Sequence, residues 1–157
     1  MRNNLLLILA AAVLMLGCAS PLLVPETGST GATVATRAID VYKSPTCACC
    51  HEWEDYLRGL GYTVNSFPTA DMSALKLSHG IPTQASSCHT ALIDGYVVEG
   101  HVPAAAIDRL LAERPSIIGI ALPGMPAGSP GMGAPNGEPL VVLAIGVDGG
   151  MTTFGVY

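Results

Sequence analysis

From residue 37 the segment RAIDVYK alternates apolar and polar positions and becomes β-rich toward its end, which predicts a first strand. Ser44-Pro45-Thr46 breaks that strand and leads into a helix. There Trp53, Leu57 and Leu60 fall at i, i+4 and i+7, one apolar face, with Gly61 as the stop. Tyr62 to Phe67 predicts a second strand closed by Pro68, and Asp71 to Ser78 a short helix ended by His79-Gly80-Ile81-Pro82. TALID (90–94) and YVVEG (96–100) form two strands joined at Asp94-Gly95, a strong hairpin signal. Pro103 suits a first helical turn, and Ile107, Leu110 and Leu111 make the buried stripe of the helix that follows.

The order strand, helix, strand, helix, hairpin, helix predicts an α/β fold, a thioredoxin-like sandwich. Beyond Pro115, IIGIALPGMPAGSPGMGAPNGEP is rich in Pro and Gly, poor in charge and too apolar for a solvated linker. It is expected to lie against the domain as a Pro/Gly/Met-rich extension. Leu140 to Val147 and Thr152 to Tyr157 predict a C-terminal hairpin across Asp148-Gly149-Gly150.

The amino-terminal pattern differs. MRNN precedes the apolar run LLLILAAAVLML and then GCAS, the arrangement of a secretory signal, with a run too short to span a bilayer comfortably. Met15-Leu16-Gly17-Cys18 is similar to a bacterial lipobox, in which Cys18 becomes the lipid-modified first residue; cleavage after Ala19 is the alternative. Both routes take the chain out of the cytoplasm, to the periplasm or cell envelope. The expected organisation is a signal peptide over 1–18, a flexible tether over 19–36 and a metal-binding domain over 37–157. The tether lacks periodicity and carries Pro, Gly, Ser and Thr.

Charge narrows the partners. The net charge is −5, and without the leader six basic side chains face twelve acidic ones, with no Lys/Arg cluster. Nucleic acid is a poor partner for such a surface, and membrane contact is expected only through the anchor at Cys18. No GxSxG, HExxH, phosphate-cradling loop or catalytic carboxylate spacing occurs in the sequence.

The chemistry is concentrated in SPTCACCHEW (44–53), which holds three of the five cysteines. Cysteine acts as ligand or nucleophile in its thiolate form, and a helix N-terminus favours that form. Outside the cytoplasm, crowded thiols become disulfides or are held by metal. Successive helical side chains diverge by about 100°, so Cys47 and Cys50 can share a face whereas Cys49 and Cys50 cannot easily aim at one point. Several metal ions bridged by sulfur would use all three. In a thioredoxin-like fold the segment entering the third strand lies against the CxxC turn. Here that segment is Cys88-His89 in place of the usual proline. Four thiolates with His89 nearby make a soft site suited to Cu(I) or Zn.

SPTCACCHEW, SCHTALIDGYVVEGHVPAAAIDRLLAE and GIALPGMPAGSPGM together resemble the domain of unknown function family 411, the CopG-like metal-binding proteins, over roughly residues 38 to 157. The resemblance implies an exported protein of copper resistance with a thioredoxin-like fold. It further implies copper held in a thiolate-bridged cluster, with Cys47, Cys49, Cys50 and Cys88 as ligands. Ala48 stands where the family often has Gly, which spares every ligand. His89 and His101 are expected as ligands or as supports for them. Met125, enclosed by prolines, adds a thioether that favours Cu(I) over Zn. The bland alternatives are a structural disulfide for the CACC cysteines, a small buried residue for Cys88 and gap-filling for Met125.

The expected function is therefore copper binding, as Cu(I) in a polynuclear cluster, for resistance or trafficking. Partners would be copper ions and another periplasmic copper carrier or efflux component. The alternative is a thiol–disulfide oxidoreductase using Cys47 and Cys50. A structural zinc site is disfavoured by the methionine segment and by the lack of a paired CxxC…CxxC.

Overall fold

The computed structural model describes residues 37–157; the expected signal peptide, lipobox and tether lie outside the described residues. Strand β1 (Ala38–Lys43) feeds helix α1 (Ala48–Gly59), which returns to β2 (Thr63–Pro68), parallel to β1. Helix α2 (Met72–Ser78) is capped at Asp71, whose side chain accepts the Ala74 amide at 2.9 Å, and a 3₁₀ turn spans Thr83–Ala85. Strands β3 (His89–Ile93) and β4 (Tyr96–Gly100) form the hairpin across Asp94-Gly95, both with positive φ as a type I′ turn requires. Helix α3 (Ala104–Glu113) then crosses to β5 (Gly119–Leu122), and β6 (Val141–Ile145) and β7 (Met151–Val156) complete the sheet.

The seven strands run in the order β2-β1-β3-β4-β5-β6-β7. The fold is mixed α/β, with a helix between each parallel strand pair, as such crossovers require. Because strand side chains alternate, the sheet presents two apolar faces. One buries Ile39, Val41, Ala91, Ile93, Val98 and Ile120 beneath Trp53 and Leu57 of α1 and Ile107 and Leu110 of α3. The other buries Val97, Ala121 and Ile145 against Ile81 and Ala85.

Two features depart from the sequence reading. Leu60 is not on the buried face of α1: it is 50 % exposed. The helix ends at Gly59, and Leu60 is its C-cap with φ −98° and ψ 9°, so helical periodicity no longer aims its side chain. Strand β5 lies inside what reads as the Pro/Gly-rich extension. Its four residues are all buried and therefore show no polar alternation. The backbones approach so closely there that a Cβ on Gly119 would sit 2.0 Å from the Val97 carbonyl oxygen. The C-terminal hairpin is present as β6 and β7, antiparallel and with an irregularity between Val142 and Leu143. No helix among the described residues is long and apolar enough to cross a membrane.

Candidate metal centre

Lys43 ends β1, and the amide of Cys47 closes a turn onto the Ser44 carbonyl at 3.1 Å before α1 begins. Cys47 is the helix N-cap, with Cys49 and Cys50 in the first turn. Cys47 and Cys50 share a face and form a disulfide with Cα atoms 5.4 Å apart. Cys49, which diverges from that face, is a free thiol with its sulfur 3.6 Å from that of Cys47. Cys88 is the other free thiol among the described residues. It sits immediately before β3, and antiparallel pairing of β3 with β1 aligns His89 with Lys43, bringing this segment to the mouth of α1. All four sulfurs lie within 4.8 Å of one another.

A second group overlaps the first at Cys88. The Cys88 sulfur is 3.0 Å from Nε2 of His101 and 3.4 Å from Nδ1 of His89, and these three ligand atoms also lie within 4.8 Å of one another. Nδ1 of His101 donates to the Pro130 carbonyl at 2.7 Å, which leaves Nε2 as a bare lone pair aimed at the sulfur. His89 is fully buried between the Trp53 ring (centroids 4.3 Å apart) and the His101 ring (5.0 Å, edge-on). Its Nε2 has no hydrogen-bond partner. An orphaned buried nitrogen is uncommon; this one lies across the ring from Nδ1, the atom that faces the Cys88 sulfur.

Burial holds His101 below the usual imidazole range, and His89 well below it, aided by the charges of His101, Lys76 and Lys43. Both rings are thus neutral near pH 7, the form that ligates metal. Burial, followed by the neighbouring Cys49, pushes the Cys88 thiol up to about 12. A metal bound there must displace its proton. Soft sulfur plus neutral imidazole is a donor set that fits copper or zinc, and the nitrogens that face the Cys88 sulfur are Nδ1 of His89 and Nε2 of His101.

Several supporting residues escape a reading by motif. Lys43 and Glu54, both buried, form an ion pair at 2.9 Å, and Glu54 also accepts from Ser66 Oγ (2.8 Å) and Arg58 (3.3 Å). Exposed His51 approaches the same lysine at 2.9 Å. On the opposite face of the sheet Lys76 pairs with fully buried Glu99. No local sequence signal marks either pair, because the partners are 11 and 23 residues apart, respectively. Trp53 is core, as expected, with Nε1 donating to the Val102 carbonyl at 2.9 Å.

The extension does lie against the domain. Gly131 packs on the first turns of α1 so tightly that a Cβ would be 2.7 Å from the Trp53 amide nitrogen and 3.0 Å from the Cys49 carbonyl. The neighbouring Pro130 carbonyl is the group that orients His101. Met125, in the same extension, is 40 % exposed and adopts left-handed backbone with φ 46°. His79 caps the end of α2, away from the thiols in sequence and in role. A cavity of about 590 Å³, lined by Asp40, His79, Leu92 and Asp94 among others, includes no cysteine.

The family described as "Protein of unknown function, DUF411" matches residues 85–132, the stretch carrying Cys88, His89, His101 and Met125. No curated protein matches the chain. Two solved structures are similar. "Copper resistance protein copG, Form 2" is 43 % identical, with a TM-score of 0.71, over 76 % of this chain and 97 % of that one. "Copper resistance protein copG, Form 1" is 42 % identical, with a TM-score of 0.72, over 78 % of this chain and 98 % of that one. Identity at that level across nearly the whole of those proteins makes this chain a member of the CopG-like DUF411 family.

Proposed function

We propose that this is an exported copper-binding protein that takes Cu(I) through Cys47, Cys49, Cys50 and Cys88 for copper resistance or trafficking. The observation that carries the reading is the convergence of four sulfurs within 4.8 Å. Thiolates held that close suit several Cu(I) ions bridged by sulfur, since each cation offsets the repulsion between neighbouring anions. The disulfide must first be reduced by a dithiol, which becomes a disulfide itself and supplies the two electrons and two protons that convert Cys47 and Cys50 to thiols; metal then displaces the protons. His89 and His101 complete or support the site, and the Met125 thioether reaches copper from the extension. Export through residues 1–18, a lipid anchor at Cys18 in the cell envelope and hand-over to a periplasmic carrier or efflux component belong to the same reading.

Anaerobic Cu(I) titration of the reduced chain lacking residues 1–19, against a competing chelator and with elemental counting, tests it. Several tightly held copper ions per chain support the cluster. No competitive binding overturns it. Cys88→Ser should lower the copper count while the fold persists.

The Cys47–Cys50 disulfide favours one second reading, thiol–disulfide exchange, in which a substrate thiolate attacks one sulfur and the other leaves as thiolate. That activity would tolerate Cys88→Ser. Retained exchange alongside absent copper binding would select it.

A further inference from the structure

Taking a carboxylate fully out of water costs several kcal/mol, and a buried ion pair is often replaceable by apolar side chains without loss of stability. Glu99 has zero exposure, so core packing alone does not account for a carboxylate there. Its partners do. Oε1 pairs with Lys76 Nζ and accepts the Ser87 amide at 2.6 Å. Oε2 accepts the Thr90 hydroxyl at 2.7 Å, and the Thr90 oxygen in turn accepts from Lys76 Nζ at 3.0 Å. Ser87 and Thr90 flank Cys88 and His89 on either side. One carboxylate thus grips the backbone just before Cys88 and the side chain just after His89.

The adjoining residue makes that grip possible. Gly100 has φ 78°, and a Cβ on it would fall 2.5 Å from Ser87 Oγ and 2.7 Å from the Leu122 carbonyl. The Ser87-Cys88-His89 and Glu99-Gly100-His101 segments can therefore run in close contact, with the Cys88 sulfur 3.0 Å from His101 Nε2. We infer that Glu99 is a positioning residue that fixes Cys88 opposite His101 and the α1 cysteines, with Lys76 of α2 supplying its counter-charge. A neutral apolar side chain would fill the same space but could not hold the Ser87 N–H. Charge-assisted bonds of this kind are roughly twice as strong as neutral ones.

The effect on copper rests on the reading above; the effect on Cys88 itself does not. Three measurements on the chain lacking residues 1–19, reduced and metal-free unless stated, test the inference. Amide hydrogen exchange of the unmodified chain should show Ser87 protected as strongly as the β3–β4 pairing. Exchange as fast as an open loop overturns the inference without any variant. In Glu99→Gln, and in Lys76→Met/Glu99→Leu as the version with both charges removed, alkylation of Cys88 relative to Cys49 should rise severalfold while far-UV dichroism stays native. Cu(I) affinity should fall by about 10- to 100-fold, the usual loss when an outer partner of a ligand is removed. Wild-type Cys88 reactivity and copper affinity in a folded variant would overturn the role of Glu99. If the unmodified chain takes no Cu(I), the copper reading falls alone, and exchange and alkylation still decide on Glu99.

Discussion

Nε2 of His101 stands 3.0 Å from the sulfur of Cys88, and the tautomer that leaves this nitrogen bare is fixed by Pro130 on the far side of the ring. The thiol proton therefore has an acceptor in place, and burial keeps it on sulfur, with Cys88 raised to about 12. The folded pKa lies above the unfolded value, about 8.5 for a free cysteine. Stability from the protonated thiol is fully present below the unfolded value and is lost as pH rises toward 12.

The same shift sets reactivity. Alkylation of Cys88 in the reduced, metal-free chain is expected to be slow at pH 7 and to climb about tenfold per pH unit, since only the thiolate reacts. Mass spectrometry of a pH series with a small alkylating agent measures it. A plateau below pH 9 would contradict the burial argument.

His89 predicts the opposite branch. Its folded pKa lies well below the usual 6.5, so below that pH the unfolded chain takes up a proton that the folded chain refuses. Stability contributed by neutral His89 is present above pH 6.5 and falls on acidification, with a limiting slope on the order of 1.4 kcal/mol per pH unit. His89→Phe should flatten that slope while keeping a ring against Trp53. Denaturant unfolding at pH 7 and pH 5 makes the comparison.

The Lys43–Glu54 pair makes a third test. Both side chains are almost wholly buried, so Lys43→Met removes the buried partner of a carboxylate one helical turn beyond Cys50 and leaves it the more exposed Arg58 as counter-charge. A loss of about 3 to 5 kcal/mol is expected, reduced where Arg58 remains to pair with Glu54. Lys43→Met/Glu54→Leu should recover most of it. Equal melting of the single and double variants would show that the pair carries no such burden.

Gly131→Ala tests the clamp of the extension on α1. The new methyl group meets backbone at 2.7 Å and must also sit at φ +79°, so about 1 to 3 kcal/mol of destabilisation is expected. Pro130 moves with it, and the His101 ring loses its fixed tautomer. NMR of the His101 ring nitrogens should show the change; an unaltered tautomer would separate the two residues.

Much of this architecture is legible in the sequence because its signals are local. Asp94-Gly95 dictates its turn, the alternation of β1 its strand, and the spacing of Trp53 and Leu57 the buried face of α1. The convergence of Cys88 on the CACC turn also follows once the strand order is guessed. What escapes is non-local or uniform. Strand β5 is buried on both faces and so has no pattern to read. The lysine–glutamate pairs and the Pro130–His101 bond join residues remote in sequence, and only the folded chain brings them together.

Strand β5 also gives the hairpin that carries Cys88 its protection. Every residue of β4 is buried, and β5 covers the flank that β3 leaves open. Without the residues beyond Arg114, β4 would become a bare, hydrophobic sheet edge offering unpaired amides and carbonyls to any other chain. Residues 115–157 thus cover an edge through which the β3–β4 hairpin, with Cys88 at its entrance, could otherwise pair with another chain.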